Sequence, residues 1–595
     1  MLFALILAAT ASLVQSVPGA AVEAPRSAVP SLAGRQLHAD ADSVRVARAA
    51  RKAQEAFESV RRRNLPREFG LAGHPCDVVI RGRWCVWSGD DHREPPPESP
   101  RIRDAREKLL RVLDSLGGLR PTDPRIAAQH VRYLLEANRY AAAVGVAERC
   151  AGREGGGYFC HALAALALHD SGAAVSADSA FSRALATMPD SVRCRWTDIS
   201  LLLDGRDADR YAKLDCARRT SAATDFWRLG APLYLVGDGD WRSEYLARVT
   251  RLELERGTRI VLQATSGDEP FREMSLRYGN GKTWYSIEEP APGSMREAVV
   301  ASHDARGDGF NFIPASRALA SPEALREDDW NFGLRTSLTR YAPGYARHFR
   351  ALGRHQIALF RRGDSILVVA AYDVAGDTAL EREALQAGLF AAPLDSGAIA
   401  APTGVVQREA HARGVLTATT LGHDMIVSVE LLNSRSKSAA RARYAVRAPS
   451  REGRISLSDL LLFTPRDAAA PPHKLADVLP LALPTDRVAA NRPVGLLWET
   501  YGVRSQGEVF AVSLTVERIR ESWLRRAAQR LGLSSDTSPL RVQWQEVPDG
   551  ADRVATRAVT VDLSRLEAGR YQVRLTLAPR GEPPVTATRE ITVER

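Results

Sequence analysis

The hydrophobic residues of this chain change their period once, and that change limits the fold more than any other feature. From about 101 to 220, alanine and leucine recur at helical spacing, in segments near 101–115, 125–137, 139–149, 158–170 and 173–187. Gly117-Gly118, Asn138 and the glycines at 155–157 fall at the joints. From about 396 the apolar residues alternate instead, as in Tyr571-Gln-Val-Arg-Leu-Thr-Leu577, which gives a strand one buried and one wet face. Strands are expected at 414–420, 424–431, 440–447, 494–501, 508–517, 540–546, 555–562, 569–577 and 585–593. Helices and strands segregated in this way do not share one layer, and 595 residues exceed what one core supports.

The expected fold class is therefore multidomain α+β. It has an N-terminal array of helical hairpins, a central mixed α/β domain and C-terminal antiparallel β-sandwich modules. The pattern places a signal peptide at 1–24, a helix and cysteine hairpin with a Pro-rich linker at 25–100, and the helical domain at 101–222. A mixed domain follows at 223–395, then a β-rich module at 396–470 and a β-sandwich module at 490–595.

Within the helical part, Ala177, Phe181, Ala184-Leu185 and Pro189 have the spacing of the second helix of a tetratricopeptide repeat. The preceding segment, Cys160 to His169, is built of small residues that let neighbouring helices approach closely. His161 and His169 lack an acidic or cysteine set on the same face, so both read as structural or solvent-exposed. Residues 40–63 read as a solvent-facing helix. In the central part, Phe226-Trp227 through Val236 forms a dense apolar anchor. A hairpin is expected between 272–278 and 282–286, around the turn Asn280-Gly281. A second hairpin joins 356–360 to 365–372, whose continuous apolar run calls for a central, buried strand. Residues 465–492 read as a link, and 517–531 as an amphipathic helix that packs on a sheet or lies on a membrane.

Residues 2–16 form an uncharged apolar run, broken by Pro18-Gly19 and followed by small residues suited to signal cleavage. It is shorter than a membrane span, lacks a basic n-region, and no later segment is apolar for long enough to cross a bilayer. The six cysteines, at 76, 85, 150, 160, 194 and 216, agree with export: an even number gathered in one region suits disulfides made in an oxidising compartment. Proximity favours Cys76–Cys85, Cys150–Cys160 and Cys194–Cys216, although the sequence admits every other pairing.

No metal site is expected, because the cysteines lack the tight spacing of a zinc knuckle. Asp238-Gly-Asp240 and Asp304 through Gly309 lack the ligand series of a calcium loop and read as turns. Gly281-Lys282-Thr283 imitates the end of a phosphate loop, but Leu276 stands where that loop needs glycine. No cofactor is therefore expected. The net charge of +10 comes almost wholly from arginines interleaved with acids, which argues against nucleic-acid binding.

Three blocks resemble the bacterial GWxTD-domain family: Phe226-Trp227 to Val236, Glu244-Tyr-Leu-Ala-Arg248-Val249, and Glu273-Met-Ser-Leu-Arg-Tyr278-Gly279. Phe310 to Pro314, Ile455 to Leu462 and Leu497 to Gly502 extend the likeness. The naming motif is absent, since no Gly-Trp dipeptide occurs. The resemblance implies an exported bacterial protein of unassigned activity, with helical repeats before the named domain and β modules after it. The expected function is a non-catalytic interaction or scaffold protein of the periplasm or cell surface, with another envelope protein or a peptide as partner. The alternative is a secreted hydrolase with its site in 223–395, for which Glu244, Arg248, Glu273 and Arg277 are the candidate polar groups, equally able to form a structural ion-pair network.

Overall fold

The computed structural model describes residues 32–595 except 70–77, 81–83, 87–96, 153–156, 257–268, 280–282, 292–293, 304–308, 334–338, 396–397, 452, 467–471, 505–507, 520–539 and 548–552. The amphipathic segment 517–531 therefore lies mostly outside the described residues, as do the Asn280-Gly281 turn and the side chains of Cys76 and Cys85. The chain divides into two compact units, 1–49 and 50–595. What is described of the first is the leading part of helix α1 (Leu32–Arg63).

In the second unit, α2 (Pro100–Leu119), α3 (Pro124–Glu136), α4 (Tyr140–Ala151), α5 (Tyr158–Asp170) and α6 (Ala174–Thr187) each pack against the next. Their contact faces are rich in buried alanine, including Ala143, Ala147, Ala162, Ala165, Ala177 and Ala184, so the backbones lie close together. Asp123 caps α3 by accepting from Arg125 N, and Asn138 turns the chain into α4 with a φ of 57°. A disulfide joins Cys150 to Cys160 across the α4–α5 turn. A second joins Cys194 in α7 (Asp190–Trp196) to Cys216 at the start of α9 (Cys216–Gly230), beyond the short α8 (Gly205–Ala212). Both are pairings that proximity favours.

The end of α1 is not solvent-facing as its composition suggests: Gln54, Phe57, Glu58 and Arg61 are buried. Arg61 bonds Glu58 and Glu136, and Tyr133 donates to Glu58 at 2.7 Å, so polar groups are drawn inward by partners on α3. α10 (Asp240–Arg256) lies against α5 and α6.

The first expected strand of the 272–286 hairpin is instead the end of α11 (Glu269–Tyr278). Two interactions favour the helix. Glu273 and Arg277 pair one turn apart, at 2.7 Å. Arg248 reaches over from α10 to donate to the carbonyls of Leu276 and Arg277, which the helix end leaves open. The hairpin forms one element later, between Thr283–Ala291 and Ser294–His303.

The next module places Ser365–Asp373 between His355–Arg362 and Arg413–Leu421, so the continuously apolar strand is central and buried as expected. A second sheet is built around Leu385–Asp395, Met425–Asn433 and Ser438–Val446. Ile366, Val368, Leu389, Val427 and Val429 belong to one core, so these sheets form a single body across residue 396, where composition suggests a boundary.

At the C-terminus, Val494–Tyr501 pairs with Val554–Val561, Leu461–Phe463 and Ser456–Leu457. The neighbouring sheet runs Arg487–Ala489, Val585–Glu594, Gly569–Pro579, Phe510–Arg518, Leu540–Glu546. Trp498, Leu514, Leu575 and Ile591 fill the core shared by the two sheets. Gly495 is required there because the Phe463 ring occupies the place a Cβ would take. The molecule thus has a helix-rich N-terminal region, a central mixed α/β stretch and sheet-rich C-terminal modules.

Two buried arginines dock the helical region on the sheets. Arg443 donates to Leu229 O, Ala231 O and Glu430, while its guanidinium stacks on the Tyr234 ring at 3.7 Å. Arg441 donates to Ala231 O and Pro232 O and lies 4.2 Å from the Trp330 ring centroid. These bonds fix the turn after α9, and with it the angle at which α10 leaves.

Candidate functional site

The polar face of α10 carries two of the four residues considered for catalysis. Glu244 accepts from Arg248 Nε at 2.7 Å and meets His169 Nε2 at 2.7 Å; both carboxylate and guanidinium are buried. His169 Nδ1 lies 3.0 Å from Ser243 Oγ. Serine, histidine and acid are thus in hydrogen-bond contact, the partners a nucleophilic serine needs. Yet Ser243 is fully buried, so no substrate carbonyl can reach its oxygen. Arg248 is engaged at the end of α11 and also donates to Arg340 O at 2.8 Å. Glu273 and Arg277 pair with each other on α11. None of the four lines either of the two hollows that flank α9. Their arrangement is a structural network that ties α5, α10 and α11 together.

Asp240, considered as part of a calcium turn, is also buried. It accepts from Tyr345 at 2.8 Å, from Trp241 N at 2.8 Å and more weakly from Tyr341 at 3.4 Å. Burial outweighs these bonds and pushes its carboxyl up to about 7. Among the described residues, no group of three or more His, Cys, Asp or Glu side chains is placed to hold a metal ion. Residues 304–308 of the other acidic turn lie outside the described residues.

A hollow with a volume near 430 Å³ lies between α6, α7, α9 and the start of α10. Its floor is apolar: Ala223, Trp227, Tyr245 and Leu246 are buried there. Its rim is polar and carries both charges. Asp178 holds Arg242 through two 2.8 Å hydrogen bonds, an approach that leaves no space for a Cβ at Gly239. Arg228 donates through Nη1 to Ile399 O. Asp238, at the opposite end of the turn that follows α9, forms no hydrogen bond or ion pair among the described residues. The Cys194–Cys216 disulfide ties α7 to α9, two of the helices that line this hollow. A second hollow of about 280 Å³ lies on the other side of α9, between Tyr211, Phe226 and Pro322. α9 is the wall between them.

Sequence reasoning marked Phe226 to Val236 as an anchor and Asp238 as a turn residue, without assembling them into a site. The parts come from four helices, and no local spacing reports that convergence.

Comparison with known proteins adds little. No family model and no curated protein matches the chain. Among solved structures, the chicken CNTN1 FN1–FN3 domains align over 42% of this chain and 69% of their own length, at 9% identity and a TM-score of 0.14. Red sea bream transglutaminase aligns over 58% of this chain at 12% identity and a TM-score of 0.13, and the match spans 47% of that enzyme. Escherichia coli alpha-2-macroglobulin activated by porcine elastase aligns over 40% of this chain at 12% identity and a TM-score of 0.13, across 22% of its length. Scores this low carry no conclusion about fold or function. No helix among the described residues is long and apolar enough to cross a membrane.

Proposed function

We propose that this chain is an exported bacterial protein of the cell envelope that works by non-catalytic recognition, as an interaction or scaffold protein. On this reading the helix pairs are tetratricopeptide-like, the paired sheets are β-sandwich modules, and the chain is a divergent relative of the GWxTD-domain proteins. One observation carries the recognition reading. The polar groups able to do chemistry on α10 are buried and paired with one another, whereas the open hollow beside them combines an apolar floor with a charged rim. Export rests on the apolar N-terminal run and on disulfides, which suit an oxidising compartment.

The test is site-specific photocrosslinking from Thr224, exposed at the rim of the hollow, in intact envelopes. A discrete adduct that disappears when Ala186→Trp fills the hollow is expected. Complete absence of adducts from Thr224 and from Ser182 across the hollow would sink the recognition reading.

The contacts among Ser243, His169 and Glu244 favour a second reading, a secreted hydrolase. It requires α10 to open. Labelling of the native protein by a fluorophosphonate, lost in Ser243→Ala, would establish it; the buried arrangement leads us to expect no labelling.

A further inference from the structure

Two charges of opposite sign at the 430 Å³ hollow, Arg228 and Asp238, form no salt bridge among the described residues, although Asp225 feels the Arg228 charge through space. Among the described residues, Arg228 forms no ion pair with any carboxylate, including Asp225 one turn earlier, whose Oδ1 accepts from Ile399 N. Only Nη1 of its guanidinium is engaged, on Ile399 O. Among the described residues Asp238 forms no ion pair, with Arg228 or with any other cation. The other rim charges are paired: Asp178 with Arg242, and Arg193 with Asp190. Arg228 and Asp238 line the same hollow as Trp227 and Tyr245, whose rings are buried in its apolar lining.

We propose that this hollow binds a small zwitterion with an apolar body: a free hydrophobic α-amino acid, or a dipeptide of such residues. Arg228 takes the carboxylate, for which its planar donors are suited. Asp238 takes the ammonium group, and the aromatic floor takes the side chain. The hollow falls within the range of small-ligand pockets, which extends from about 300 to 1,000 Å³. The inference rests on the hollow being a recognition site, and it adds the class of ligand.

Calorimetric titration of the full chain with phenylalanine, leucine and Leu-Phe tests it. Saturable binding is expected, with phenylalanine amide and N-acetylphenylalanine each weaker by about tenfold, the value of one lost charge-assisted contact. The discriminating result is crosswise. Arg228→Gln should stop distinguishing phenylalanine from its amide yet still reject the N-acetyl form. Asp238→Asn should do the reverse, and Thr224→Trp should abolish binding while leaving the circular dichroism spectrum unchanged. Tighter binding of Leu-Phe than of phenylalanine would identify a peptide end as the source, and the opposite order a free amino acid. No heat at millimolar ligand, or equal binding of all three phenylalanine forms, would overturn the proposal. A Thr224 crosslink that persists alongside such a failure would leave the recognition reading standing, so the two are separable.

Discussion

The C-terminal sheets and the helix-rich region solve the same problem by different means. The core around Trp498, Leu514, Leu575 and Ile591 is a large apolar cluster shared by two sheets, with the buried Glu499 paired to Arg362 beside it. The helices are rich in alanine, which buries little apolar area per residue. Their packing is supplemented by covalent and ionic ties: two disulfides, the Glu58–Arg61–Glu136 set, and the His169–Glu244–Arg248 set. The dock between helices and sheets also rests on charge: Arg443 and Glu430, paired within the sheet and both inaccessible to water, reach across to Leu229 O, Ala231 O and Leu235 N. A region stabilised by apolar area should therefore lose stability through cavities, and a stapled region through unpaired partners.

The largest effect should come from a cavity in the apolar region. Trp498→Ala is expected to cost about 4–5 kcal/mol in denaturant unfolding of the C-terminal transition. A loss under about 1 kcal/mol would mean that the core is not close-packed. Next, Arg443→Ala leaves Glu430 buried without its cation and should cost about 4 kcal/mol. The double variant Arg443→Met with Glu430→Met should recover most of that loss, because apolar groups of similar volume need no partner. Recovery would show that the ionic dock is replaceable in stability; failure would show that its geometry is not.

Opening the Cys194–Cys216 disulfide, by Cys194→Ala with Cys216→Ala, should cost about 3 kcal/mol, as expected for a loop with a sequence separation of 22. The loss should appear in the helical transition and leave the C-terminal one unmoved. The smallest effect is pH-dependent. Asp240 ordinarily titrates near 3.8 and is raised to about 7 by burial, so the folded state holds its proton more tightly than the unfolded chain. Its stabilising contribution is complete below about pH 4 and is lost as pH rises through 7. From pH 5 to 8, wild type should lose about 2 kcal/mol more than Asp240→Asn. Glu255 and Glu327, raised to about 7, and Asp459, raised to about 6, fall in the same direction, so the difference between the two proteins isolates Asp240. Parallel pH profiles would remove Asp240 from this account.

Legibility in the sequence followed how local each cause is. The hairpin from His355–Arg362 to Ser365–Asp373 was readable because its apolar runs and Gly363 turn are adjacent. The 272–278 segment was misread because a decisive support for its helix, Arg248, lies on another element. Glu58 and Arg61 looked solvent-facing for the same reason, since Glu136 and Tyr133 arrive from α3. Glu244, Arg248, Glu273 and Arg277 stand out in the sequence as candidate polar groups, but the burial of Glu244 and Arg248 has no local signature.

By itself, the order of residues determined the helix-to-strand succession, because periodicity acts over a few residues; for the cysteines it only favoured near neighbours, as in the Cys150–Cys160 and Cys194–Cys216 disulfides. Only the tertiary structure decided which charges are buried and which hollow they border. Those outcomes depend on desolvation, and desolvation is set by neighbours that may be 200 positions away, as Arg443 is from Leu229 and Ala231.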